Sequence, residues 1–403
     1  MIYADNAATT RLSRRALDAM MPWLDGEYGN PSSLHQMGRR AQAAIEDARG
    51  RMARMLGAED AREIVFTSGG TEAGNLALRA AAAIGARLGR KHIISTQIEH
   101  HAVLNTLKAL EREGFEVELL PVDKNGRIFP GQVANAIRHD TILVSVMTAN
   151  NEIGTVQPVR HIGRICRERG VCFHSDAVQA AGHLSVDVRR DNIDLLSLSA
   201  HKFHGPKGAG ALYVRRGVGS LYNRSNAEIE PMIHGGGQER GRRAGTENVA
   251  GIIGMAEALT EALEGLEGKI ERTVALRDRL IGGIERLPGC WLNGGRVLRH
   301  PGNASFCFEG VNGESLLLLL DNAGICASAG SACTAGSLDP SHVLRAIGRS
   351  DALAHGALRL SIDHNNTEAE IDAIIQAVTS AVNTLRACSP VWNKIHGGKN
   401  ERL

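Results

Sequence analysis

Between residues 60 and 215, short apolar runs alternate with stretches whose apolar positions recur every three or four residues. The runs fall at 63–68, 92–97, 116–122, 142–147, 171–176, 195–199 and 210–214. Near-continuous apolar runs of this length mark strands buried on both faces, and the helical stretches between them supply the crossovers that parallel strands need. The pattern predicts an α/β fold built on a mostly parallel seven-stranded sheet with helices on both faces. Ligands of such sheets bind beyond the carboxyl ends of the strands. The polar residues that close each run are therefore the ones to weigh.

Helices flank this block. Leu34, Met37, Ala41, Ile45, Ala48, Met52 and Met55 step by three or four and form one apolar stripe. A long helical region near 247–287 precedes short strands around 304–309 and 357–362. The last helix opens on Thr367 and Glu370, a capping-box pair, and turns Ile371, Ile374, Ile375, Val378, Val382 and Leu385 inward. The division implied is a large domain over 15–260 and a smaller α+β domain over 261–403, the latter joined by residues 1–14.

The 403 residues carry 46 Lys+Arg against 44 Asp+Glu, a balance that gives no electrostatic reason to expect nucleic acid or an anionic membrane as partner. The opening residues show neither the basic nor the apolar region of a secretory signal. The longest leucine run, at 316–320, is too short to cross a bilayer. The chain reads as cytoplasmic. Its seven cysteines (Cys166, Cys172, Cys290, Cys307, Cys326, Cys333 and Cys388) are scattered without a Cys-x-x-Cys pair, against a disulfide framework or a structural zinc site.

Three strand ends carry candidate chemistry. Lys202 follows the run at 195–199 within Ser199-Ala200-His201-Lys202 and precedes a Gly/Pro turn. A lysine held there is placed to form a Schiff base with a carbonyl cofactor, whereas Lys207 nearby reads as a solvated loop residue. Asp176 closes the run at 171–176, where 176–179 is expected to turn into a helix. It suits either an N-cap or the carboxylate that pyridoxal phosphate (PLP) needs against its ring nitrogen. Thr67-Ser68-Gly69-Gly70-Thr71-Glu72 lies between a strand and a helix, where backbone N–H groups and glycines form an anion site suited to a phosphate. Phosphate loop, Asp and Lys in that order point to a PLP enzyme.

The chain resembles the cysteine desulfurases of the NifS/IscS type, in the class V aminotransferase group of fold type I PLP enzymes. The resemblance rests on Tyr3-Ala4-Asp5-Asn6-Ala7-Ala8-Thr9-Thr10, Gly29-Asn30-Pro31-Ser32-Ser33, Ala149-Asn150-Asn151-Glu152-Ile153-Gly154, Ser199-Ala200-His201-Lys202, Arg242-Arg243-Ala244-Gly245-Thr246-Glu247-Asn248 and Gly330-Ser331-Ala332-Cys333-Thr334. It implies that Lys202 holds PLP, Asp176 pairs with the ring nitrogen, Gln179 bonds the phenolate oxygen, and His100 stacks on the ring and shuttles protons. Gly70, Thr71, Ser199 and His201 would hold the phosphate, with Thr246 reaching across from the second subunit of a homodimer. Asn151 and Arg359 would grip the carboxylate of L-cysteine.

Cys333 decides the reaction. It sits among small residues at 327–337 with no packing volume, a composition that predicts an exposed, mobile loop and a thiol able to act as nucleophile. Cys307, between Phe306 and Phe308, reads instead as a core residue. The implied activity moves sulfur from L-cysteine to Cys333 as a persulfide, releases L-alanine, and hands the sulfur to an iron–sulfur scaffold or another acceptor protein. No resident metal is expected, Cys333 being the residue that would meet an iron–sulfur cluster in transfer. The alternatives are a selenocysteine lyase or another class V aminotransferase, and an aminotransferase has no use for such a cysteine. The form of the segment at 242–248 leans toward the NifS-like, nitrogenase-linked branch. Three departures from the family pattern stand out: Gly74, Cys326, and Ile362-Asp363-His364-Asn365-Asn366 just after Arg359.

Overall fold

The computed structural model describes residues 1–218, 229–329 and 340–396. The N-terminal strand β1 (Ile2–Tyr3) leads to helices α1 (Arg14–Leu24) and α2 (Gln36–Leu56). The central sheet follows as β2 (Ile64–Thr67), β3 (His92–Thr96), β4 (Glu116–Leu120), β5 (Thr141–Ser145), β6 (Cys172–Asp176), β7 (Leu195–Ser199) and β8 (Gly210–Val214). Between its strands run α3 (Gly70–Arg87), α4 (His101–Arg112), α5 (Pro130–Ala136) and α6 (Val159–Arg169). The strand order is β2-β8-β7-β6-β5-β3-β4, and β8 alone runs against the others. All seven expected strands are present within two residues of their expected limits. Six of them pair over backbone that is buried along most of its length, which accounts for the unbroken apolar runs.

Two apolar clusters cover the sheet. On one face Ala16, Ile45, Met52, Ile252 and Met255 pack on Phe173 and Leu196; on the other, Leu76, Leu78 and Leu107 pack on Ile93 and Leu143. The stripe on α2 is buried at Ala41, Ile45, Ala48 and Met52, but Leu34 lies before the helix begins and is 90% exposed. His35 caps that helix, so the stripe starts later than its periodicity suggests.

The helical region near 247–287 is two helices, α7 (Val249–Leu263) and α8 (Leu266–Ile284). Gly265 breaks them apart in the left-handed conformation at φ 63°. Beyond lie β9 (Cys290–Leu292), β10 (Asn303–Phe308), α9 (Gly313–Asn322), β11 (Ile325–Cys326), α10 (His342–Ala346), α11 (Asp351–Ala354), β12 (Ala357–Ser361), α12 (Glu368–Ala387) and α13 (Pro390–His396). β9, β10 and β12 form an antiparallel sheet, and β1 pairs with β11. Ile281, Phe306, Leu358, Ile374 and Val378 belong to its core, and the Thr367–Glu370 capping box opens α12 as expected.

The chain from Ala4 to Ser13 stitches the two sheets together. Ser361 N–H donates to the Ala4 carbonyl and Asn6 N–H to the Ser361 carbonyl, while Thr10 N–H donates to the carbonyl of His201.

Candidate active site

The candidates on the large sheet all stand at or beyond the carboxyl end of a strand. β2 leads to Gly70 and Thr71, β3 to His100, β5 to Asn151, β6 ends on Asp176, and β7 runs through Ser199 into Lys202. Their common cavity has a volume of about 630 Å³, and Arg359 of β12 closes it from the small sheet. Lys207 stands exposed at its rim.

Lys202 ends a single 3-10 turn after β7. Its Nζ donates to the carbonyls of Ala7 and Ala8 at 2.6 and 2.8 Å. Gln179 Nε2 donates to the same Ala7 carbonyl at 2.9 Å. These backbone acceptors carry no side-chain signature, so sequence reasoning found the Lys but not what orients it.

Asp176 is 9% exposed, and its carboxylate accepts the Val178 N–H at 2.9 Å. Residues 178–183 form a chain of turns rather than the expected helix. Burial raises the Asp176 pKa to about 6, partly countered by the Val178 N–H and the Lys202 charge. A carboxylate in that position is poorly solvated and is stabilised by a cationic partner in the cavity.

His100 caps α4: its Nδ1 accepts the Ala102 N–H at 3.1 Å, so the neutral ring carries its proton on Nε2. Burial, followed by the charge of Lys202, lowers its pKa to about 4, and the ring is neutral at physiological pH. The same two causes bring His201 to about 4, with its Nδ1 3.2 Å from Thr9 Oγ1.

The phosphate loop is packed without slack. A Cβ at Gly70 would lie 2.6 Å from Val178 Cγ2, and one at Gly210 would lie 2.5 Å from Gly69 Cα. Only glycine at both places lets β8, the loop and the Asp176 turn approach one another. Ser199 is buried beside them. Glu72, in the first turn of α3, accepts the Ser68 N–H and pairs with Arg243 at 2.9 Å.

Arg359, on an apolar strand, is 2% exposed rather than a rim charge. Its Nη2 lies 2.9 Å from Asp5 Oδ1, and Nη1 donates to the Asn151 carbonyl at 3.1 Å. Asp5 is a site residue that sequence reasoning passed over, although it stands in the N-terminal motif. Thr246 is exposed and does not line this cavity within one chain. Cys333 lies outside the described residues, while Cys307 is fully buried as expected.

Residues 2–374 match the aminotransferase class-V family. The chain belongs to the class-V aminotransferases. Within that family it is 50% identical over 393 residues to a cysteine desulfurase IscS of Methanosarcina thermophila, across 98% of this chain and 95% of the relative. A solved NifS-like protein superposes with a TM-score of 0.86 at 39% identity, covering 95% of this chain and 99% of the other. SspA, solved in complex with cysteine, gives 0.76 at 37% identity over 91% and 100% of the two chains.

Class-V aminotransferases, their cysteine desulfurases included, are PLP enzymes, and the donor set here fits that group. One cavity joins a primary amine, a buried carboxylate, a neutral imidazole and a glycine-lined helix N-terminus. Among the described residues no cluster of His, Cys, Asp and Glu could hold a metal, and no helix is long and apolar enough to cross a membrane.

Proposed function

We propose that this protein is a PLP-dependent cysteine desulfurase, which takes sulfur from L-cysteine through Cys333 and releases L-alanine. The observation that carries it is the convergence of Lys202, Asp176 and the start of α3 on the cavity that Arg359 closes, in a chain half identical to a desulfurase. Lys202 would hold the cofactor covalently, with Asp176, Gln179 and His100 around its ring and Gly70, Thr71, Ser199 and His201 at its phosphate. When bound, PLP supplies a carbonyl carbon for amines and a sink for the electrons of the substrate α-carbon.

The chain's own residues do the rest. The Arg359 guanidinium matches a carboxylate with two parallel N–H bonds, which sets the orientation of the amino acid, with Asn151 beside it. The contact of its Nη2 with the Asp5 carboxylate supports this reading. Lys202, once free, takes the α-proton, and the neutral His100 offers a hydrogen bond from its Nε2–H. The Cys333 thiolate attacks the substrate sulfur. The S–Cβ bond breaks, an S–S bond forms, and the electron pair of the broken bond stays with carbon, which takes a proton to give alanine. No external oxidant is needed.

The persulfide sulfur then passes to an acceptor, for which an iron–sulfur scaffold protein or another thiol carrier has the required chemistry. The functional unit we propose is a homodimer, in which Thr246 completes the partner's phosphate site. Each chain would divide near residue 260, with 1–14 carried by the smaller part.

The test compares the purified protein with Cys333→Ala and Lys202→Ala. The parent and Cys333→Ala are expected to show the visible absorbance of lysine-bound PLP. Only the parent should release alanine and sulfide in equal amounts from L-cysteine with a reducing thiol. Lys202→Ala should turn over about 10²–10⁴-fold more slowly. Sulfide release by Cys333→Ala at the parent's rate would reduce the assignment to a general PLP lyase.

A further inference from the structure

Outside the lining of the Lys202 cavity, the His204 ring faces Asp363. His204 Nε2 lies 3.3 Å from Asp363 Oδ2, and both side chains are largely buried. The other ring nitrogen is committed: Nδ1 is 3.0 Å from the Arg11 carbonyl, which only accepts, so Nδ1 carries a proton. A neutral His204 would therefore present its Nε2 lone pair to a carboxylate. Only the doubly protonated ring turns a proton toward both acceptors.

The pair joins the two halves of the proposed site. His204 lies two residues past Lys202, in the left-handed conformation at φ 65°, where a non-glycine residue is held only by its surroundings. Its N–H donates to Thr10 Oγ1 at 2.7 Å, and its carbonyl accepts the Ser13 N–H. Asp363 lies four residues past Arg359, two residues beyond the end of the strand that carries it. It belongs to the segment that departs from the family pattern, and the departure supplies the acid that His204 needs.

Resting on the desulfurase reading, we propose that His204 and Asp363 are positioning residues whose ion pair, made only while His204 is protonated, sets Lys202 against Arg359. The other titratable groups facing the pair are His183, Glu261, Lys269 and His364. His183 Nε2 donates to the Lys202 carbonyl at 2.8 Å, so it steadies the same turn without contributing charge to it. Burial alone would lower the His204 pKa, but Asp363 outweighs it and the pKa lies above the ordinary 6.5; Asp363 is in turn held at about 2. Stability from the raised His is full below 6.5 and is lost as pH rises through its folded pKa. Stability from the lowered Asp is full above 3.8 and is lost toward 2. The tie is thus complete between about pH 4 and 6.5 and loosens in the alkaline direction.

The test uses the PLP-loaded protein, Asp363→Asn, His204→Gln and the double variant, with L-cysteine as substrate from pH 5.5 to 9. Asn keeps the local turn, because its carbonyl oxygen can still accept the Asn365 N–H that Asp363 accepts at 2.7 Å. The parent's kcat/KM should exceed that of Asp363→Asn by about tenfold near pH 6, and the ratio should fall toward one as pH rises to 9. His204→Gln should trace the same curve, and the double variant should add nothing further. The difference in melting temperature between parent and variants should shrink over the same pH range, with or without PLP. A ratio and a melting difference that both ignore pH, or a double variant that sums the singles, would overturn the tie. If no protein releases sulfide, the desulfurase reading fails, and the melting curves alone decide for or against the pair.

Discussion

Glu99, the neighbour of His100, is fully buried, and its Oε1 accepts from Thr96 Oγ1 at 2.7 Å and from the Met147 N–H at 3.0 Å. Burial is the main reason its pKa rises to about 8; the two hydrogen bonds lower it and Asp176 adds to the rise. The group is therefore a neutral acid at pH 7, and glutamine is close to its isostere. The unfolded chain ionises near 4.5, so the stability given by the protonated form is complete below that pH and drains away as pH climbs toward 8. Glu99→Gln cannot ionise and escapes that loss. We expect parent and variant to melt together near pH 5 and the variant to melt higher at pH 8–9, as thermal unfolding across that range will check. A difference that does not change with pH would mean that Glu99 ionises as an ordinary carboxylate.

At the scale of elements, the most telling contact is one that no local pattern announces. Arg49 lies on the buried face of α2, 3% exposed, and forks onto Glu239 with two bonds of 2.7 Å. It also donates to the Ile64 carbonyl, while Glu239 accepts the Phe66 N–H, so the pair ties α2, β2 and the segment that leads to Arg243 and Thr246. Removing one partner leaves a charge stranded in the interior, at a cost of about 3–5 kcal/mol. Arg49→Ala should lose that much in denaturant unfolding, and Arg49→Lys should recover only part, lacking the fork. The strands were legible because burial on both faces writes itself as apolar runs, and α12 because its cap is a local signal. Arg49 was not, since its partner lies 190 positions away and an arginine between alanine and glycine reads as surface. Leu34 failed in the opposite sense: its spacing fits the stripe, but the cap at His35 starts the helix after it. Of the cavity, the side chains with distinctive chemistry could be picked out, whereas the Ala7 and Ala8 carbonyls and the Asp5–Arg359 pair depend on the N-terminal segment crossing both sheets.

For the whole molecule, the question is whether one chain builds a complete site. Within the chain, Lys202, Asp176, His100 and Arg359 meet in one cavity, while Thr246 stands exposed away from it. The segment before Thr246 is nonetheless held firmly, by Arg243 on Glu72 and by Glu239 on Arg49. An exposed threonine outside the lining of its own chain's cavity fits the proposed donation of a hydroxyl to the partner's phosphate site. If it serves the partner, Thr246→Ala should weaken PLP binding about tenfold, the worth of one good phosphate hydrogen bond. A mixed dimer of one Thr246→Ala chain and one Lys202→Ala chain, purified on two different tags, then separates the possibilities. The chain that keeps Lys202 would receive an intact Thr246 from its partner, and its site should bind PLP with the parent's affinity and release sulfide at about half the parent's rate per dimer. If Thr246 acts within its own chain, that same site holds the alanine, and the mixed dimer binds as weakly as the Thr246→Ala homodimer.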